Sequence, residues 1–463
     1  MAAGGGNEEG GERSLEKGEW RLLAILGLPT FAYALAITIV STYLPLLAQR
    51  FSPSTTIIGV IIGGEGVMAL LLPIPFGSWS DRLRTRIGGR LPFVLFATPP
   101  LVVALVLIGF SQSIVMAGLF VGLFFAAYFI AYEPYRALYP DLVRDDIAGR
   151  GQSTQAIFRG AGTLLAIVAG GGLFSLAVQA PFVVGAGVTA VAIAAFLLVL
   201  LRRGVPEQEH DEEEPGTVRE AADRIRQILR RRPAVRAFLV ANALWELSLG
   251  ALKTFVILYL SRGLHFQVAL AGLIVGGASL ISVIASPLSG RWGDRIGKAR
   301  VMQIALTAYG IGLLVPGAIT FKPALIAVVP FVAFGGGTIM TLPYAMLIPL
   351  MPEHEHGALT GLYSLSRGVG TMLGPLLAGV AIEVLRGPLS GTQGYQAMWL
   401  VCGAAILLSL IPLRRLRRDL DERDAREREG RHRWDDEDRP PPRRRSGGER
   451  DARAQRRPQP SRG

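Results

Sequence analysis

The stretch SDRLRTRIGGR, residues 80–90, lies between two long apolar segments and holds four arginines. A shorter version, GRWGDRIGKAR, occupies residues 290–300 in the second half of the chain. Each Asp-Arg pair begins two residues after a tryptophan, Trp79 in the first case and Trp292 in the second, and apolar sequence stands on both sides. The fold must therefore explain why so apolar a chain contains this charged connection twice.

The apolar segments around these stretches have the length of membrane spans. The chain has 463 residues, of which 50% are hydrophobic. Segments close to 20 residues with almost no charge recur, for example at 93–110, 114–131, 181–201 and 325–342. About 20 apolar residues in a helix, at roughly 1.5 Å each, cross a hydrocarbon core of about 30 Å. The sequence predicts an all-α, polytopic membrane protein.

Twelve spans are predicted, six on either side of a charged interval. Their ranges are 21–44, 57–78, 92–111, 114–134, 154–177, 181–201, 235–260, 267–289, 300–320, 324–346, 358–384 and 396–413. The predicted organisation begins with a disordered N-terminus at 1–20 and a first six-helix bundle at 21–201. A linker at 202–234, a second six-helix bundle at 235–413 and a disordered charged tail at 414–463 follow.

The orientation follows from the lysines and arginines in the short loops, which resist translocation. The even-numbered loops carry most of these residues, among them the four arginines of 80–90 and the basic residues of 290–300. We therefore expect the even loops, the linker and both termini to be cytoplasmic, in a multi-pass protein of the plasma membrane (the cell inner membrane).

The net charge of +12 does not indicate a nucleic-acid partner. Residues 414–463 contain 18 Arg against 12 Asp and Glu, so the tail supplies +6, and it is better suited to lie near anionic lipid. The single cysteine, Cys402, excludes a disulfide within the chain. No nucleophile–base pair, metal-ligand spacing or nucleotide motif occurs, so we expect neither an enzyme nor a cofactor or metal.

Three pairs of motifs recur at nearly one offset. GSWSDR at 77–82 matches GRWGDR at 290–295, PYRALYP at 134–140 matches PYAMLIP at 343–349, and RGAGTLL at 159–165 matches RGVGTML at 367–373. The offsets are 213, 209 and 208 residues, and the motifs fall on spans 2 and 8, 4 and 10, and 5 and 11. The chain is therefore predicted to be a duplicated six-helix unit with parallel halves, as in alternating-access transporters.

These motifs resemble the major facilitator superfamily, whose signature Gly-x-x-x-Asp-Arg-x-Gly-Arg-Arg joins helices 2 and 3. The expanded form here, which runs from Gly77 through Asp81 and Arg82 to Pro92, is similar to that of the glycoside–cation symporters and sucrose-type carriers. The resemblance covers about residues 20–413. In those symporters an acidic residue often precedes the Pro-x-x-Gly of this loop, whereas Leu72 precedes it here, which argues against sodium coupling.

The resemblance implies a role for the charged connections. In the family, the loop joins the two halves on the cytoplasmic side in the outward-open state, so Asp81 with Arg90, and Asp294 with Arg295, would be conformational contacts. The glycines would let helices approach closely. We call this set the clasp: Gly77, Asp81, Arg82, Arg86, Arg90, Gly290, Asp294 and Arg295. The alternative is a topology signal alone.

Ionisable residues within the spans are the best candidates for coupling, because a charge at the bilayer centre costs about 2.5–3.5 kcal/mol. Glu65 lies near the middle of span 2, and Glu246 and Lys253 lie on span 7. A carboxylate in a low-dielectric site can exchange a proton near neutral pH. The alternative is an internal ion pair with Lys253. Arg159 and Arg367, which the repeat relates, are expected to pair with acids of adjacent loops or to extend to the interface.

Family architecture also places spans 1, 4, 7 and 10 around a central cavity, where aromatic rings would stack on a sugar and polar groups would bind its hydroxyls. The candidates on those spans are Tyr33, Tyr128, Tyr132, Asn242, Trp245, Thr341 and Tyr344.

The sequence thus predicts a secondary active transporter that moves a small polar solute, with a sugar or glycoside favoured, in symport with protons and as a monomer. Two alternatives stay open. One is a drug or metabolite exporter that uses proton antiport, and the other is a membrane receptor that senses a solute without transporting it.

Overall fold

The computed structural model describes residues 17–144, 147–203, 226–227, 229–347 and 356–437, and this part of the chain is helical, without strands. Within these ranges eleven helices are long and apolar enough to span a membrane, or twelve if one bent pair counts as a span. They are α1 (Lys17–Ala48), α2a (Thr55–Leu71), α2b (Pro73–Arg82), α3 (Leu91–Gly109), α4 (Ile114–Leu142), α5 (Ala148–Leu176), α6 (Ala180–Arg203), α7 (Pro233–Leu258), α8 (Val268–Ile296), α9 (Lys298–Ala318), α10 (Lys322–Leu347), α11 (His356–Val384) and α12 (Ala397–Glu437).

The predicted all-α membrane fold is confirmed, and a helix lies at each predicted span. The second span differs in shape, since α2a and α2b meet at an angle of 41°. Pro73 begins α2b. A proline lacks the amide hydrogen and its ring collides with the carbonyl four residues earlier, so a helix bends or breaks there.

The connection between α8 and α9 is shorter than predicted. Residues 290–296, expected in a loop, form the last turns of α8, and only Gly297 separates this helix from α9. The backbone φ of Gly297 is +93°, which glycine adopts readily because it has no Cβ. Asp294 and Arg295 therefore stand on a helix rather than in a loop.

The helices pack in the order that an internal repeat predicts. In the first half α1 packs on α5 and α6, and α3 packs on α4. In the second half α7 packs on α11, and α9 packs on α10. The halves meet mainly where α2a packs on α11 and α5 packs on α8. Because the repeat relates α2 to α8 and α5 to α11, these two contacts are equivalent in the two halves.

The bundle has two ends, the basic side and the opposite side, which differ in the connections that they carry. The basic side carries the connections after α2b, α4 and α8, and the opposite side carries those after α1, α7 and α11. The first contains the arginine-rich stretches that open the sequence analysis.

Of the described residues, those up to Leu416 form one compact unit, and those from Arg417 form a second. In the second unit the structure is helical to Glu437, where the sequence analysis expects a disordered tail. Arginine, the commonest residue of this segment, is a good helix former. Most of the predicted N-terminus and linker, at 1–16, 204–225 and 228, and the rest of the tail, at 438–463, lie outside the described residues.

Candidate functional site

A stripe of glycines on α2a joins the two halves from the opposite side to the middle of the bundle. Gly59, Gly63 and Gly66 lie on the face of α2a that packs against α11. A Cβ added to Gly59 would lie 2.3 Å from the carbonyl oxygen of Pro375, and one on Gly66 would lie 2.4 Å from that of Gly368. The backbones are thus in direct contact, as small residues permit between membrane helices.

The equivalent contact between α5 and α8 is also built from glycines. A Cβ on Gly171 would lie 3.0 Å from the carbonyl oxygen of Val268, and one on Gly272 would lie 2.8 Å from that of Ile167. Both contacts lie in the parts of the helices near the opposite side, so the halves are closed there.

On the basic side the same helices leave open space. A Cβ added to Gly77 or Gly290 would meet no atom within 4 Å. The expectation that these two glycines allow close helix approach is therefore wrong for this conformation, because the helices diverge toward the basic side. We infer that a cleft between the halves opens on that side, because α2a packs on α11 whereas α2b packs mainly on α4 of its own half.

Polar contacts add to the closure on the opposite side. Glu383, at the end of α11, accepts hydrogen bonds from the Ser54 hydroxyl at 2.8 Å and the Thr56 amide at 3.2 Å. Thr55 donates to the carbonyl oxygen of Gly379 at 2.7 Å, and Arg386 donates to that of Pro53. Glu383 thereby caps the N-terminus of α2a, where a carboxylate is favoured.

Replacing Glu383 by Ala should weaken this closure. Loss of the charged hydrogen bonds at an exposed site is worth about 1 kcal/mol, which shifts an equilibrium roughly fivefold toward separation of the halves. Distances between spin labels at residues 50 and 387 measure that shift. Ser54→Ala, which removes one of the two bonds, should give a smaller change, and an unaltered distance distribution in Glu383→Ala would contradict the assignment.

An ion pair connects the two halves at the middle of the membrane. The Lys253 ammonium on α7 lies 3.2 Å from one carboxylate oxygen of Glu65 on α2a and 3.3 Å from the other. The Ser41 hydroxyl on α1 donates to the same carboxylate at 3.3 Å. The Glu65 side chain is 12% exposed. Ten residues separate Glu65 from the start of α2a, about 15 Å along the axis, or half of the hydrocarbon core.

A second ion pair lies within the C-terminal half. Nε of Arg367 on α11 lies 2.8 Å from a carboxylate oxygen of Glu246 on α7. Glu246 is 17% exposed and Arg367 is 53% exposed, so the guanidinium faces open space. The expectation that Arg367 pairs with a loop acid or extends to the interface is wrong, because its partner is in the neighbouring helix.

Tyrosines form a cluster between α1 and α4. The rings of Tyr128 and Tyr132 stack with centroids 5.2 Å apart, and Tyr33 packs edge-on against both at 5.6 Å. Tyr33 and Tyr128 are buried, whereas Tyr132 is half-buried, with the Arg136 guanidinium 5.7 Å from its ring centroid. Tyr132 is thus the member that reaches open space, and the other two support it.

The remaining cavity candidates do not line open space. Asn242 is buried and donates to the Ser366 hydroxyl at 2.8 Å. Trp245 is buried and donates to the Ser409 hydroxyl at 2.8 Å. For both, the predicted cavity position is wrong in this conformation, since they join helices of one bundle. Thr341 is half-buried and donates to Gly337 of its own helix. The side chain of Tyr344 lies outside the described residues.

The first part of the clasp is tied to its own half. Nη2 of Arg90 lies 3.0 Å from a carboxylate oxygen of Asp81, and Arg90 also contacts Asp141 on α4. Arg82 and Arg86 are exposed. In the second part, Asp294 and Arg295 are exposed and form no ion pair within the described part of the chain. Neither part bridges the two halves in this conformation. This is expected if the clasp lies on the open side of the cleft, where the halves are apart.

The sequence profile of the Major Facilitator Superfamily matches residues 26–255 and 246–457. The chain belongs to this superfamily. It is therefore a multi-pass membrane transporter and not an enzyme.

Solved superfamily structures have the same fold. A bacterial homologue of the human lysosomal transporter Spinster, inward-facing and occupied, superimposes with a TM-score of 0.72 at 13% identity over 88% of this chain and 98% of that one. The nucleoside transporter NupG gives 0.66 at 15% over 85% and 98%.

Two superfamily members with known sequences are similar along the chain. The class E tetracycline resistance protein of Escherichia coli is 23% identical over 395 residues, which is 83% of this chain and 92% of that protein. The multidrug resistance protein MdtG of Yersinia enterocolitica is 23% identical over 181 residues, which is 38% of this chain and 42% of that protein.

Three contacts were not predicted from the sequence. They are the hydrogen bond from Ser41 to Glu65, the ion pair of Arg367 with Glu246, and the contact of Glu383 with the start of α2a. Serine at a buried position carries no signal by itself, whereas Arg367 stood in a repeated motif within a predicted span. A charge so placed needs a partner inside the membrane, and Glu246 was the available acid on a neighbouring helix.

Proposed function

We propose that the protein is a proton-coupled secondary transporter that works by alternating access as a monomer of the plasma membrane. With the arginine-rich loops and both termini cytoplasmic, the cleft faces the cytoplasm and this conformation is inward-facing. The observation that carries the proposal is the Glu65–Lys253 pair, which lies at mid-membrane depth and joins the two halves.

The pair provides a route for coupling. Outward opening separates α2a from α7, so it must break the contact between Glu65 and Lys253. An unpaired carboxylate in a low-dielectric site is costly, and protonation of Glu65 removes that cost. A proton taken up from the outside would be displaced by Lys253 when the halves close again, and would leave through the cytoplasmic cleft.

The solute we propose is a small polar molecule with a ring, for which a sugar or glycoside is the first candidate. Tyr132 offers a half-exposed aromatic face, backed by Tyr128 and Tyr33, on which a sugar ring can stack. Glu246 and Arg367 supply hydrogen-bonding groups at the wall of the same cleft. The expanded loop that starts at Gly77 resembles that of the glycoside–cation symporters.

A second candidate is export of an organic compound by proton antiport. It is supported by the similarity to the tetracycline resistance protein, which spans 92% of that relative. Glu65 is the proton site in both cases, but in antiport the proton and the solute bind in alternation, whereas in symport they bind together.

Transport by the purified protein in liposomes tests the proposal. A panel of labelled sugars, glycosides and antibiotics is applied with the interior buffered at neutral pH and the exterior made acidic, and then with no gradient. We expect at least one solute to move faster with the gradient than without it. A protein that binds solutes but gives no flux would be a receptor, and the proposal would be withdrawn.

Glu246→Gln should weaken solute binding without removing coupling. The Glu246–Arg367 pair lies within one half, so its loss leaves the contact between the halves in place. Removal of a charged hydrogen bond is expected to raise KM roughly tenfold. Initial rates and the final accumulation ratio are measured in the same liposomes, and loss of accumulation would move the coupling role from Glu65 to Glu246.

A further inference from the structure

Arg159 of α5 faces the cleft between the halves. Its side chain is exposed, although Ala166, two turns later on the same helix face, is 2% exposed. Ile157 and Leu165, on the other face of α5, are 70% and 45% exposed, as expected of lipid-facing residues. The helical period of 3.6 residues places Arg159 on the side away from those two. Its exposure therefore comes from the cleft and not from the lipid.

Arg159 has no partner in the described part of the chain, where it forms no ion pair and no hydrogen bond. The Tyr128 hydroxyl interacts electrostatically with three charged side chains, those of Glu65, Glu133 and Arg159. Both acids, however, are already paired, Glu65 with Lys253 and Glu133 with Arg136. The positive charge of Arg159 is thus left uncompensated beside the tyrosine cluster.

The internal repeat shows that Arg159 differs in this respect from its equivalent in the second half. Arg159 and Arg367 occupy equivalent positions in RGAGTLL and RGVGTML. Arg367 is neutralised by Glu246 of α7. The equivalent helix of the first half is α1, and its single acid is Glu19, in the first turn. One arginine of the pair therefore keeps an acid supplied by the protein, and the other does not.

We propose that Arg159 binds an anionic group of the transported solute, a carboxylate or a phosphate, whose ring lies against Tyr132. The guanidinium offers two parallel N–H groups, which match both of these anions. This inference rests on the proposed transport function and restricts its substrates to organic anions. An acidic sugar derivative and an acidic drug both satisfy it.

Closure of the cleft gives the anion a second role. Alternating access requires the cytoplasmic side to close, which would remove water from Arg159. A bare guanidinium in a dry site is strongly disfavoured, whereas a bound anion supplies the missing charge. The empty carrier therefore closes more slowly than the loaded one, so exchange of bound solute should be faster than net uptake.

The test uses matched solutes that differ in charge: benzoate with benzamide, glucuronate with glucose, and phenyl phosphate with phenol. Uptake into liposomes and thermal stabilisation of the purified protein are measured for the wild type, Arg159→Gln and Arg159→Lys. We expect an anionic member to be preferred by the wild type. Its affinity should fall roughly tenfold or more in Arg159→Gln and less in Arg159→Lys, with the neutral members unaffected.

The outcomes separate this proposal from the transport function. The anion site is overturned, and transport still stands, if only the neutral members are taken up with the proton gradient. The same holds if Arg159→Gln keeps its full affinity for anions. Transport is overturned, and the site still stands, if an anion stabilises the wild type but not Arg159→Gln while no solute shows any flux. If Arg159→Gln does not fold, the comparison of charged and neutral solutes in the wild type decides. Phosphatidylglycerol added to the liposomes should not compete, and if it abolishes the preference, the bound group is a lipid headgroup and the solute assignment is wrong.

Discussion

Replacing Glu65 by Gln is expected to abolish solute accumulation driven by a proton gradient while leaving exchange of labelled for unlabelled solute intact. Glutamine has the shape of the protonated glutamate and keeps the hydrogen bond from Ser41, but it cannot gain or lose a proton. The variant should therefore behave as a permanently protonated carrier. Solute would equilibrate across the membrane but would not be concentrated, whatever the pH gradient.

The measurement is the final internal concentration of solute with and without an inward proton gradient, together with the exchange rate at equal pH on both sides. Glu246→Gln is the matched control, since it removes the same charge from the other pair and should keep accumulation. Lys253→Gln removes the partner and leaves the titratable group, so it should slow transport but retain some response to pH. Undiminished accumulation in Glu65→Gln would exclude Glu65 as the coupling site.

The sequence was sufficient for the fold because two strong regularities determine it. Apolar length predicts the spans, and the repeated Asp-Arg connection reveals the duplication, neither of which depends on tertiary detail. The bend at Pro73 needed only local chemistry as well, since a proline inside an apolar run interrupts the helix. Treating 57–78 as one straight span overlooked that signal.

The site could be predicted only in part, because its geometry depends on how helices rotate against one another. Glu65, Glu246 and Lys253 were identifiable as charges in apolar spans. Which acid meets Lys253 was not, because a neighbour on the same helix and a residue on the other half were equally plausible from spacing. Asn242 and Trp245 show the converse, since polar atoms on a cavity-lining helix also satisfy partners inside the bundle, which buried polar groups require.

Gly66→Val should block transport by holding the halves apart on the opposite side. A Cβ at this position would lie 2.4 Å from the carbonyl oxygen of Gly368 and 2.5 Å from the amide nitrogen of Met372. Both are backbone atoms of α11, so no side-chain rotation can relieve the collision. Overpacking of this kind costs about 1–3 kcal/mol, which displaces a two-state equilibrium by roughly 5- to 150-fold.

Gly64→Val is the matched control on the same helix. A Cβ on Gly64 meets no atom within 4 Å, so the substitution adds the same β-branched side chain and the same change in helix propensity without the collision. Transport by Gly64→Val should stay close to the wild-type rate, whereas Gly66→Val should lose most of its flux. Label distances between residues 50 and 387 should lengthen only in Gly66→Val.

Transport rate and label distance together decide whether the glycine stripe forms the closed gate or only allows the helices to pack. If it only packs helices, Gly66→Val lowers thermal stability, and the fraction that stays folded keeps the wild-type label distance and turnover. If it forms the closed gate, the folded fraction shows the longer distance and little turnover, because a carrier that cannot close on one side cannot open productively on the other. A Cβ on Gly59 would lie 2.3 Å from the carbonyl oxygen of Pro375, so Gly59→Val should reproduce that result two contacts nearer the end of the bundle.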